Sequence, residues 1–165
     1  MQTVAVAFSG EASCTRIREI LESAGLADCL ICRSADQVRR TLCQQQVAGV
    51  VCGYKFPDGT AEELREDLPG SCPMLVVAAK PLLEHIQCEG ISKLASPLSR
   101  GALLAAVEEL LRGGEEERAL IARAKEYLMQ RYGLSEAQAH RNLQRRSMTT
   151  GQRLAQVARA VLHTR

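Results

Sequence analysis

The sequence predicts an α/β fold, a doubly wound five-stranded parallel sheet, followed by a small all-α domain of three helices. Three observations carry that prediction. Over roughly the first 110 residues, short apolar runs suited to buried strands alternate with segments whose apolar residues recur at helical spacing. Beyond them the pattern is helical throughout. The charge also changes sign there: residues 115–165 hold ten Lys or Arg against five Asp or Glu, a net of +5, whereas residues 1–114 hold eleven against fourteen, a net of −3.

Taken in order, Thr3 to Phe8 is an apolar run and Cys14 to Ala24 a helix with Ile17, Ile20, Leu21 and Ala24 on one face before Gly25. The same unit recurs. Strands are expected at Cys29–Cys32, Val47–Cys52, Met74–Ala79 and Ile91–Ala95, and helices at Ala35–Gln45, Thr60–Leu68, Leu82–Cys88 and Ser99–Leu111. Five strands alternating with five helices imply a parallel sheet covered on both faces. The simplest arrangement is flavodoxin-like, with any site at the carboxyl ends of the strands.

Leu103, Val107, Leu110, Ile121, Ala124 and Leu128 share one a/d register, with Gly114 and Glu117 at the intervening places. A single helix from Ser99 to Arg131 is therefore expected to join a domain at 1–112 to a second at 113–165. Gly113-Gly114 opposes it, each glycine costing about 1 kcal/mol inside a helix relative to Ala. The pair is either a hinge or part of a continuous helix, and a homodimer seam along residues 103–128 is the favoured reading. The first C-terminal helix should end at Gly133. Ser135-Glu136-Ala137-Gln138 has the form of a capping box and opens a second helix, to about Ser147. Thr149-Thr150-Gly151-Gln152 has the same form and is expected to open a third, with Leu154, Val157, Ala158 and Val161 as its apolar stripe.

Composition narrows the function. Aromatic residues make up 3% and Trp is absent, so little surface is available for stacking bases. No apolar run is long enough for a membrane span and the apolar start is too short for a signal peptide, so a cytoplasmic protein is expected. The seven cysteines are an odd number without framework spacing, which suits reduced, mostly buried thiols. Cys29 and Cys32 form a CxxC, but on a strand thiols three apart point to opposite faces, and no second ligand pair is present. No metal, cofactor or catalytic group is expected. His140 lacks an acidic partner or nucleophile placed with it and reads as an exposed helix residue.

The turn Gly53-Tyr54-Lys55-Phe56-Pro57-Asp58-Gly59, with the strand order, makes the first domain resemble a response-regulator receiver. That resemblance implies an acidic pair for Mg²⁺, an acceptor Asp, a hydroxyl and a Lys. Ser9 and Gly10 stand at the acidic pair, Gly53 at the acceptor, Ala78 or Ala79 at the hydroxyl and Ser96 at the Lys. A degenerate phosphorylation site follows, and Glu11 and Asp58 read as turn residues. The segment between the fourth and fifth strands is short for a receiver.

Four stretches of the tail, Ile121-Ala122-Arg123-Ala124-Lys125-Glu126-Tyr127-Leu128-Met129, Gly133-Leu134-Ser135-Glu136-Ala137-Gln138-Ala139, Leu143-Gln144-Arg145-Arg146-Ser147-Met148 and Leu154-Ala155-Gln156-Val157-Ala158, resemble the ANTAR module. The family usually has Ala where Ser147 stands. The resemblance implies an RNA-binding transcription antiterminator that recognises hairpin loops in nascent transcripts, behind a pseudo-receiver controlled by a partner such as a sensor protein, or by a ligand. Lys125, in the family's Ala-Lys pair, together with Arg141, Arg145, Arg146 and Arg153, is the candidate RNA-binding set. Leu128, Met129, Leu143, Met148, Leu154 and Val157 read as core. Two other classes compete. Three short basic helices also suit a DNA-binding regulator, but the third helix is mostly apolar where base readers would stand. A flavin or thiol redox protein would need a phosphate loop after the first strand, and Ser9-Gly10-Glu11-Ala12-Ser13 has one Gly and an acid.

Overall fold

The computed structural model describes residues 2–68, 72–88 and 90–163; the outer limits assigned to the two domains, residues 1 and 165, lie outside them. The chain divides into two compact units, Met1–Arg112 and Gly113–Arg165.

In the first unit, strands β1 (Thr3–Ala7), β2 (Asp28–Cys32) and β3 (Gly49–Cys52) alternate with helices α1 (Glu11–Ser23) and α2 (Ala35–Gln44). A two-stranded hairpin follows, β4 (Lys55–Phe56) and β5 (Gly59–Thr60), then α3 (Ala61–Asp67), β6 (Met74–Ala79), α4 (Lys80–Glu84), β7 (Ile91–Ser96) and the start of α5 (Arg100–Tyr132). The five long strands form one parallel sheet in the order β2-β1-β3-β6-β7. This is the doubly wound order expected from the alternation.

Strand periodicity divides the side chains between two cores. Ala5, Ala7, Val50, Cys52 and Val76 face Val38 of α2 and Leu64 of α3. Val4, Val6, Val51, Leu75 and Val77 face Ile17 and Leu21 of α1 and Leu103 and Val107 of α5. Each fully buried Leu or Val contributes about 1.5–3 kcal/mol relative to exposure. Cys29 and Cys32 of β2 belong to opposite cores, as strand geometry requires. Burial pushes the thiols of Cys29 and Cys52 up to about 12 and raises that of Cys32, so none is a ready nucleophile.

Several elements differ from the expectation. The hairpin β4–β5 was not anticipated; it pairs Lys55 with Thr60 and Phe56 with Gly59, and it sinks Phe56 into the first core. Helix α4 begins two residues earlier than expected because Pro81 suits a first turn, and it ends at Glu84. The stretch between β6 and β7 is thus as short as the sequence implied.

Helix α5 runs through Gly113-Gly114 without interruption. The a/d residues do not form an exposed seam. Leu103, Val107 and Leu110 are buried in the second core of the first unit, and Ile121, Ala124 and Leu128 in the core of the second unit. The stripe expected to seam a homodimer through residues 103–128 is covered by the chain's own side chains.

In the second unit, α6 (Glu136–Thr150) and α7 (Leu154–His163) close over the latter part of α5. Gly133 takes φ 67° and Gly151 φ 72°, left-handed conformations that end α5 and α6. Ser135 and Gln138 make both bonds of the capping box. Thr149 and Thr150 do not open the third helix. Their hydroxyls donate back to the carbonyls of Arg145 and Arg146, at 2.9 and 2.7 Å, which keeps both residues in α6. Instead, the Gln156 side chain accepts the Arg153 N–H at 3.2 Å and caps α7.

Candidate nucleic-acid interface

Among the described residues, the strand-end positions of the first unit hold no acidic cluster that could hold a metal ion. Ser9 and Gly10 are exposed, and Gly10 is the N-cap of α1 without a side-chain cap. Gly53 follows β3, its N–H donating to the Ala7 carbonyl at 3.0 Å. A Cβ built on Gly53 would stand 3.1 Å from Cδ1 of Phe8, so the Phe8 ring would have to give by a few tenths of an ångström to admit a side chain at 53. Ser96 ends β7 and is exposed. Asp58 is more than a turn residue: its carboxylate accepts the N–H groups of Ala35 and Asp36, both at 2.9 Å, and ties the hairpin to the start of α2. Those two bonds, Ala35's first, hold its carboxyl below the ordinary carboxylate range.

In the second unit the five candidate cations differ in their surroundings. Lys125 is only 21% exposed and its Nζ lies 3.5 Å from Glu136 in the first turn of α6. Arg153 pairs with Glu117 of α5 at 3.1 Å. Arg146 donates to Oδ1 of Asn142 at 2.9 Å and lines a concavity against Val157 and Val161 of α7. Arg141 bonds the carbonyl of Ala137 on its own helix, and Arg145 has no side-chain partner among the described residues.

The outward face of α6 gathers what remains. Gln138, Arg141, Arg145 and Met148 follow one another at spacings of three, four and three residues, so they lie on one face of the helix, away from the buried Ala139 and Leu143. Met148 is 85% exposed. The core reading of Met148 and of Met129, at 36%, is thereby corrected: α6 and α5 turn these two outward while Leu128, Leu143 and Val157 fill the core. Ser147, on the flank, donates its hydroxyl to the Gln152 carbonyl and closes the α6–α7 turn, a bond that Ala could not make. His140 is half-buried rather than exposed, with Nδ1 buried and lacking a hydrogen-bond partner.

The first unit shares its fold with signal receiver domains. It is similar to the receiver domain of an HD domain-containing protein from Pseudomonas fluorescens Pf-5, at 21% identity and TM-score 0.65, covering 72% of this chain and 92% of that one. It is likewise similar to a receiver domain protein from Clostridium thermocellum, at 17% identity and TM-score 0.63, covering 70% and 98%. A CheY-like receiver domain protein from Methanospirillum hungatei JF-1 gives 19% and 0.63, covering 71% and 98%. No curated protein matches the chain. The likeness shows a receiver fold for the first unit. Residues 109–162 match the ANTAR domain family, and the chain combines a receiver fold with an ANTAR domain.

Proposed function

We propose that the protein is a transcription antitermination regulator whose second unit binds RNA hairpin loops through the outward face of α6, and whose first unit is a receiver that takes no phosphoryl group. The observation that carries the RNA reading is the α6 stripe. Arg145 has no side-chain partner among the described residues, Arg141 stands one turn away, and a nearly fully exposed Met148 continues the line. Guanidinium forks suit phosphates and base edges, and a thioether offers a polarisable apolar contact to a base. Lys125, Arg146 and Arg153 are already engaged by Glu136, Asn142 and Glu117, so they support the interface from its margins.

The first unit is read as a pseudo-receiver because Gly53 has no nucleophile and Ser9 and Gly10 have no carboxylate for Mg²⁺. Its input is then a partner or ligand. Incubation with a small phosphodonor and Mg²⁺ should leave the intact mass unchanged, and an acid-labile adduct would refute this part.

The RNA reading is tested by titrating wild type and an Arg141→Ala/Arg145→Ala variant against a pool of short RNAs of randomised sequence at several salt concentrations. The variant should bind more weakly and with a salt slope reduced by about two ions. Equal affinity of the wild type for duplex DNA would favour the DNA-binding alternative.

A further inference from the structure

Helices α5 and α7 leave a notch that the α6 face does not share. Two concavities lie along it and share Leu120, Arg123 and Arg159. The larger, about 540 Å³, also contains Glu116, Glu117 and Arg153, and there Arg153 is neutralised by Glu117. The smaller, about 300 Å³, is lined by Leu120, Arg123, Arg159, Leu162 and His163, with no carboxylate among them.

Arg123 and Arg159 are both exposed, and neither has a side-chain partner among the described residues. They come from different helices and both line the smaller concavity, whose lining holds no carboxylate, an arrangement that like-charge repulsion disfavours until a ligand supplies an anion. Leu120 and Leu162 are partly buried and pack on the core, so the notch has an apolar floor beneath a cationic rim. Its volume is at the lower end of small-ligand pockets.

We propose that this notch seats one nucleotide of a bound RNA, with a phosphate clamped between Arg123 and Arg159 and the ribose and base lying on Leu120 and Leu162. The proposal rests on the RNA-binding reading and adds a contact separate from the α6 stripe. Arg123 and Lys125, two residues apart, point about 200° apart around α5, so a strand reaching both flanks would pass round the helix rather than along one edge.

The full chain is used for the test, with the same randomised RNA pool. An Arg123→Ala/Arg159→Ala variant should bind more weakly, with a salt slope lower than wild type by about two ions. Arg123→Lys/Arg159→Lys should retain the slope, because charge is kept, and Leu162→Ser should lower affinity with the slope unchanged. Wild-type affinity and slope in the double-alanine variant, where Arg141→Ala/Arg145→Ala has lost binding, would overturn the notch alone. Failure of the wild type to bind any RNA would overturn the RNA reading and the notch with it. Circular dichroism establishes that each variant is folded; if the double variant is not, Arg159→Ala decides, with a loss of about one ion expected and an unchanged slope refuting the proposal.

Discussion

The two units differ in how many of their arginines are partnered. In the first, every arginine has a partner. Arg18, Arg39, Arg40 and Arg112 pair with carboxylates. Arg16, Arg33 and Arg65 donate to backbone carbonyls, and Arg100 to the Ser23 hydroxyl. In the second, Arg118, Arg123, Arg145 and Arg159 have none among the described residues. Exposed ion pairs contribute only about 0–1 kcal/mol each, so the pairing is a weak stabiliser. It does remove cationic hydrogen-bond donors from the surface. The contrast leaves the unpartnered guanidinium groups in the second unit, where the proposed RNA contacts lie.

The largest expected effect tests whether the second unit has a core of its own. Leu143 is fully buried among Ile121, Leu128 and Val157, so Leu143→Ala should cost about 2–5 kcal/mol. Hydrogen exchange should show lost protection in α6 and α7 while the sheet strands stay protected; equal loss in both would break the comparison.

A smaller effect is expected in the first unit at Gly53. Gly53→Asp should cost about 1–3 kcal/mol by crowding Phe8, and Phe8→Ala in the same chain should recover part of that loss. Denaturant midpoints of the single and double variants measure the coupling, and strict additivity would contradict the contact.

Removing the capping hydroxyl with Ser135→Ala should cost about 1 kcal/mol, read as a lower melting midpoint with the fold retained. Asp58 gives a pH signature. Its folded carboxyl is held below its ordinary value of 3.8, so its contribution is present above that value and is lost as pH falls through the lower, folded one. Asp58→Asn should therefore lower the urea midpoint at neutral pH and flatten its decline below about pH 4. The smallest effect on stability belongs to Met148→Ala, within about 0.5 kcal/mol because the side chain is in solvent. The same variant should weaken RNA binding, and a large loss of stability would return Met148 to the core.

Much of this arrangement was legible in the sequence. The sheet could be read because Val4–Ala7, Val50–Cys52 and Leu75–Ala78 are apolar without interruption, the mark of strands covered on both faces. The capping box at Ser135 and the stop at Gly133 are local chemistry and were legible for that reason. Thr149 and Thr150 misled because a threonine hydroxyl serves a cap or a carbonyl four residues back equally well, and only Gly151's left-handed turn decides between them. The a/d register was real, yet a one-dimensional stripe does not say what covers it, and here two separate cores do. Met148 reads as core by residue type alone. The α5–α7 notch was missed because its halves are far apart in sequence; the signal that could have found it is a Leu and an Arg three residues apart on each helix, Leu120 with Arg123 and Arg159 with Leu162.

The Phe8 ring beside Gly53 also constrains how this chain can change. An acidic residue introduced at position 53 would first meet the aromatic ring, and trimming Phe8 first would open a void beside a buried strand end. Each single step is disfavoured even if the pair together is tolerated. Residues 8 and 53 are therefore coupled, and a side chain at 53 is expected to come only with a shift or a change at 8.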